Sequence, residues 1–171
     1  YYYKKLLSGE TEDYAVYAAS PFPESNRLLM VATDVSSRYS RRNEAEYRKV
    51  ADYIRAVTEA KKGNYMIFFP SYQYMDAVEK ILEEAPLKAD LIIQGQGMGE
   101  IEKKEFLEEF ELKREHSLAA FCVMGGSFSE GVDLKEERLI GVIVVGTGLP
   151  MVCTEQEILR EYFDETEERG F

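Results

Sequence analysis

The sequence predicts a doubly wound α/β domain: a mainly parallel sheet with helices on both faces. Two observations carry that prediction. Runs such as "NYMIFFP", "LAAFCVM" and "LIGVIVVG" are apolar throughout instead of alternating, as strands are when both faces of their sheet are covered. Between most of them lie stretches with apolar residues at three- and four-residue steps, so strand and helix largely alternate along the chain. A length of 171 residues, 45% hydrophobic and 31% charged, suits one such domain and is short for two.

The elements follow in order. "DYAVYAAS" (13–20) is rich in tyrosine and valine and predicts a strand. Pro21 and Pro23 break any regular element after it, and "RLLMVATD" (27–34) is a second apolar run. "VSSRYSRR" is polar and basic. Its Arg38, Arg41 and Arg42 suit either phosphate contacts or a solvated lead-in to the next helix. That helix is "NEAEYRKVADYIRAVTEAKKG". Tyr47, Val50, Ala51, Ile54, Val57 and Thr58 form one apolar face. Asn43 is its expected N-cap, Glu46 stands at the capping-box position, and Gly63 is the expected stop. "NYMIFFP" predicts a strand, "SYQYMDAVEKILEEA" a helix, "ADLIIQ" a strand and "GEIEKKEFLEEFEL" a helix. "LAAFCVM" and "LIGVIVVG" predict two more strands, and "CTEQEILREYFDE" a last helix.

Composition narrows the function. A formal net charge of -11 argues against a generic nucleic-acid coat but leaves room for a local binding groove. The two cysteines, Cys122 and Cys153, lie in or beside apolar stretches without CxxC spacing, and are expected as buried thiols of a reducing cytoplasm. The one histidine, His116, sits between a charged helix end and a strand. A zinc site or a histidine-based triad is therefore not expected. No apolar run approaches the 18 or so residues of a membrane span. The opening "YYYKKLL" lacks methionine and the chain stops straight after a helical pattern, so both ends are expected to be cuts through a longer protein.

In a doubly wound sheet, sites form at the C-terminal ends of the strands. "QGQGMGE" stands there, but its spacing is GxGxG and not GxGxxG, and no acidic residue ends the next strand. The plainer expectation is a loop leading into an amphipathic helix. No G-x-x-x-x-G-K-[ST] phosphate loop occurs. "GGSFSEG" has only a superficial likeness to a nucleophile elbow, and the histidine precedes it. At Ser71 and Tyr72, strand gives way to helix. Ser71 suits an N-cap, and the same geometry suits a phosphate. The most unusual stretch is "GGSFSEGVDL" (125–134). Gly125, Gly126 and Gly131 allow close backbone approach, Ser127 and Ser129 offer hydroxyls, and Glu130 and Asp133 offer acceptors. The alternative is a loop in which Asp133 caps a turn and Glu130 faces solvent.

"FSEGVDL" followed by "RLIGVIVVGTGLP" closely resembles the fifth motif and its extension in superfamily 2 helicases of the DinG/XPD group. "YMIFFPSYQYM" resembles that family's fourth motif. "LIIQ" with "FLEEFEL" resembles its next strand and helix, and "NRLLMVATDVSSRYSRRNE" resembles the start of its second motor domain. The resemblance implies the second of two RecA-like motor domains that clamp ATP and move along single-stranded DNA. The first domain would supply the phosphate loop, the Mg2+ site and, in many members, an iron–sulfur cluster. The sixth motif, with its arginine finger, would follow "YFDETEERGF". The resemblance implies that Ser71, Tyr72, Ser127 and Ser129 lie by the nucleic acid. It places Glu130, Gly131 and Asp133 at the ATP interface, with Gly148 and Pro150 shaping the following loop. It further implies a role in DNA repair or replication-related unwinding, and an isolated fragment without ATPase activity. The alternative is a non-catalytic interaction module built on the same fold.

Overall fold

The computed structural model describes residues 16–147 and 154–167. The chain divides into two compact units, Tyr1–Ala32 and Thr33–Phe171. In the first, the described residues hold one 3-10 turn, Glu24–Asn26, and no strand.

The second unit carries α1 (Glu44–Ala60), β1 (Asn64–Phe69), α2 (Tyr72–Glu84), β2 (Ala89–Ile93), α3 (Glu100–Glu108), β3 (Ser117–Val123), β4 (Gly141–Val144) and α4 (Thr154–Glu167). The four strands form one parallel sheet in the order β2-β3-β1-β4. Every residue of β3 is buried, which explains its unbroken apolar character. Because side chains alternate across a strand, β1 and β3 feed two cores. Tyr65, Ile67, Phe69, Ala119, Phe121 and Val123 pack with Val50, Ala51 and Ile54 of α1 and with Tyr74, Met75, Val78 and Leu82 of α2. On the opposite face Met66, Leu118, Ala120 and Cys122 pack with Phe106 of α3, with Phe110 in the 3-10 turn that follows, and with Phe128.

The predicted α/β architecture therefore stands, with four local corrections. The strand expected at 13–20 falls partly outside the described residues. Its described part, from Val16 to Ser20, has no strand, and Val16 and Tyr17 are exposed. A strand exists through its ladder, and these residues pair with no neighbour. Second, the β4 edge is not covered on both faces. Val142 and Val144, in register with Met66 and Phe68, are more than half exposed. Third, Asn43 does cap α1, its side chain accepting from the Glu46 amide at 3.1 Å, but Glu46 does not return the bond. Its carboxylate instead holds the Ser36 amide at 2.9 Å and the Arg41 guanidinium. Fourth, α1 ends at Ala60 and not at Gly63. Gly63 is small for another reason: a Cβ there would strike the Ile140 side chain. Among the described residues, no helix is long and apolar enough to cross a membrane.

Candidate nucleic-acid and nucleotide interface

All four strands run the same way, so their C-terminal ends lie along one edge of the sheet. After β1 the chain turns at Pro70 and Ser71. The Ser71 hydroxyl accepts from the Tyr74 amide at 3.2 Å, so it is engaged as the N-cap of α2. Tyr72 opens that helix. Its hydroxyl donates to the Gly95 carbonyl at 3.3 Å and accepts from the Gln94 side-chain amide at 3.1 Å. Gln94, which ends the "ADLIIQ" run, is 3% exposed, and its side-chain oxygen accepts from the Val123 amide at 2.9 Å. One buried amide thus ties the ends of β2 and β3 to the first residue of α2.

The loop after β3 is built on these anchors. Gly125 and Gly131 have φ of 72° and 75°, a region that favours glycine. Gly126 is packed close: a Cβ there would come within 2.9 Å of both the Gln94 side-chain nitrogen and the Val123 carbonyl. Ser129 folds back, its hydroxyl donating to that same Val123 carbonyl at 3.2 Å. Phe128 is 3% exposed and stacks on Phe106 of α3, ring centroids 4.4 Å apart. Val132 and Leu134 pack against the same cluster. The apolar members are therefore pulled inward while Ser127, Glu130, Gly131 and Asp133 are left facing solvent. Asp133 pairs with Lys135 at 3.3 Å, both side chains largely exposed. Of the predicted site residues, Ser71 and Ser129 are thus tied to the backbone. Tyr72 is tied to the Gln94 network, and Ser127, Glu130, Gly131 and Asp133 lie on the open side of the loop.

At the β4 end, Gly146 has φ 94° and meets Ser37 so closely that a Cβ would lie 2.6 Å from its hydroxyl. Ser37 belongs to the basic segment before α1. There Arg41 pairs with the buried Glu46, and the Arg42 guanidinium lies 5.4 Å from the Tyr39 ring centre and 5.3 Å from that of Tyr74. Two of the three arginines are therefore engaged within the protein, although Arg41 is itself exposed, as is Arg38. The Ser36 amide first, and Arg41 after it, hold the Glu46 carboxyl below its ordinary value against an opposing push from desolvation. Gly148, Pro150 and Cys153 lie outside the described residues.

The discounted features behave as expected. Gly99 precedes α3 and its amide donates to the Glu102 carboxylate at 2.7 Å, so "QGQGMGE" leads into a helix. His116 is exposed in a bend before β3. Cys122 is buried, and burial pushes its thiol up to about 12. At the opposite edge of the sheet an open cleft of about 760 Å3 is lined by charged residues including Lys62, Lys113, Arg114 and Arg138.

Two residues that build the site are missed by sequence reasoning, Gln94 and Phe128, and Glu46 is noticed there only in a capping role that it does not fill. The available signals are a glutamine ending an apolar run and a phenylalanine between two serines.

Residues 54–171 match the helicase C-terminal domain family. A probable ATP-dependent helicase of Methanocaldococcus jannaschii, MJ0942, is 29% identical over 154 residues, which cover 84% of this chain and 22% of that protein. The ATP-dependent DNA helicase CHL1 of Debaryomyces hansenii is 26% identical over 144 residues, 77% of this chain and 17% of the relative. The chain thus spans about a fifth of the length of these curated relatives. A solved structure, XPD_APO, superposes with a TM-score of 0.59 at 22% identity over 80% of this chain and 27% of its own, which shows the shared RecA-like fold. The chain belongs to the helicase C-terminal domain family, of the DinG/XPD type.

Proposed function

We propose that this chain is the second motor domain of an ATP-dependent DNA helicase, which grips single-stranded DNA and completes an ATP site in the cleft between two motor domains. The observation that carries this reading is the loop after β3. It is pinned from inside by Phe128 and by the Ser129 hydroxyl, yet it presents Ser127, Glu130, Gly131 and Asp133 to solvent. A loop held so firmly with its polar groups outward is suited to a partner surface more than to a turn. The relatives it resembles are named ATP-dependent helicases, which supports ATP as the nucleotide.

The assigned roles follow chemistry. Exposed glycine amides and the Ser127 hydroxyl are donors that suit phosphate oxygens of a strand. Tyr72 offers a ring beside that path, and Ser71 and Ser129 shape it through their backbone bonds. Glu130 and Asp133 are acceptors for the nucleotide side, with Gly131 between them. Among the described residues no group of three His, Cys, Asp or Glu side chains comes together as a metal site. Mg2+ and the phosphates are assigned to the first motor domain, as is any iron–sulfur cluster. The chain's own residues supply positioning and charge. DNA repair is the assigned process. A cytoplasmic setting accords with the buried, unpaired Cys122 thiol.

Purified alone, the chain should show no ATP turnover, because the phosphate-binding half of the site is supplied by the other domain. Turnover by the pure chain that disappears in Asp133→Ala would overturn the composite-site reading. It would also overturn the interaction-module alternative.

A further inference from the structure

We infer that Gln94 is a positioning residue for DNA-strand binding: it locks Tyr72 and the loop after β3 into a single unit. The inference rests on the proposed strand-binding role of that edge. Its grounds are geometric. Gln94 is 3% exposed and stands at the end of β2, the edge strand next to β3. A buried primary amide must satisfy both its oxygen and its nitrogen, and here each goes to a different side of the candidate site. The oxygen takes the Val123 amide at 2.9 Å, the last residue of β3 before the loop. The nitrogen donates to the Tyr72 hydroxyl at 3.1 Å, and that hydroxyl in turn donates a hydrogen bond to the Gly95 carbonyl at 3.3 Å. Gly126 closes over the amide with no room for a Cβ, so the loop rests directly on Gln94. Val123 is also the residue whose carbonyl receives the Ser129 hydroxyl, so the peptide fixed by Gln94 is adjacent to the bond that folds the loop back.

The consequence is a division of labour. Gln94 does not face solvent, so it acts on the DNA only through Tyr72 and the loop. It sets where the Tyr72 ring stands relative to Ser127 and Gly131. Loosening it should weaken the grip on DNA while leaving nucleotide hydrolysis at saturating DNA nearly intact.

The test uses the full-length helicase that carries this chain, with ATPase activity measured against oligo-dT concentration. Gln94→Leu keeps the volume but leaves the Val123 amide without its acceptor and the Tyr72 hydroxyl without its donor. It should raise the DNA concentration for half-maximal stimulation about tenfold, the scale of one lost buried hydrogen bond, with kcat within about twofold of wild type. Gln94→Glu can still accept from the Val123 amide, and from the Tyr72 hydroxyl once its proton turns from the Gly95 carbonyl, and should restore most of the affinity. Tyr72→Phe should raise the half-saturating concentration in the same direction. The double variant Gln94→Leu with Tyr72→Phe should lose clearly less than the sum of the two single losses, because both break the same Gln94–Tyr72 bond. If Gln94→Leu does not fold, the comparison of Tyr72→Phe with Gln94→Glu decides. Loss of affinity in the first and its retention in the second support the inference, and any other pattern overturns it. Unchanged DNA dependence in folded Gln94→Leu, or strictly additive losses in the double variant, would overturn the inference alone. A wild-type helicase whose ATPase ignores DNA would overturn the strand-binding reading together with it.

Discussion

Arg41 and Glu46 form an ion pair across the turn that leads into α1, with Glu46 almost fully buried and its second carboxylate oxygen on the Ser36 amide. Through this pair the basic segment is fixed against the helix, and Ser37 is set beside Gly146 at the end of β4.

The pair makes a pH prediction. The folded-state pKa of Glu46 lies below its ordinary value, chiefly through the Ser36 amide and then Arg41. A depressed carboxylate contributes stability above its unfolded pKa and loses it as pH falls through the folded one. Glu46→Gln should therefore melt at a lower temperature than wild type at pH 7. The gap should narrow as the pH falls below the ordinary glutamate value and on through the depressed folded-state one, where wild-type Glu46 is itself neutralised. Melting curves from pH 7 to pH 3 check this, and a gap constant across that range would contradict it.

Phe128 is the internal anchor of an otherwise polar loop, stacked on Phe106 and closed off from solvent. Phe128→Ala should cost about 3–5 kcal/mol in urea unfolding, as for other buried phenylalanines. Truncation at the neighbouring exposed Ser127 should change stability by less than about 0.5 kcal/mol. Comparable losses at both positions would show that the loop is not held by its phenylalanine.

Cys122 lies in the middle of the fully buried β3, and its thiol is raised to about 12. In a Cys153→Ser background the native protein should resist a thiol reagent at pH 8 and react at once in 6 M guanidinium. Rapid labelling of the native form would mean that β3 opens readily.

The central layers were legible because burial on two faces leaves the interior of β1 and β3 almost wholly apolar. β1 and β3 are recognisable from their composition for that reason, and Asn43 and Ser71 are recognisable as caps because a short side-chain acceptor precedes each apolar period. What escaped depends on contacts between distant segments. Val142 and Val144 look like core residues in a list, yet lie on the uncovered side of an edge strand. Glu46 fits a local capping rule but is claimed by Ser36 and Arg41, a stronger charged and buried arrangement than the cap it was expected to complete. Gln94 stands out in sequence only as a glutamine ending an apolar run, and its role is hidden because its partners, Tyr72 and Val123, are 22 and 29 residues away. The polar excess of the 125–134 stretch was visible. The inward turn of Phe128 and of the Ser129 hydroxyl, which makes that excess face outward, was not.

The most direct test of the composite site is DNA-stimulated ATP hydrolysis by the full-length helicase carrying Asp133→Ala. Asp133 is exposed and pairs only with the equally exposed Lys135 among the described contacts, so its removal should leave the melting temperature unchanged. The account predicts a drop in stimulated turnover on the order of 100-fold, the scale seen when one preorganised polar group is removed from a reacting site. Wild-type turnover and unwinding by that variant would contradict the account.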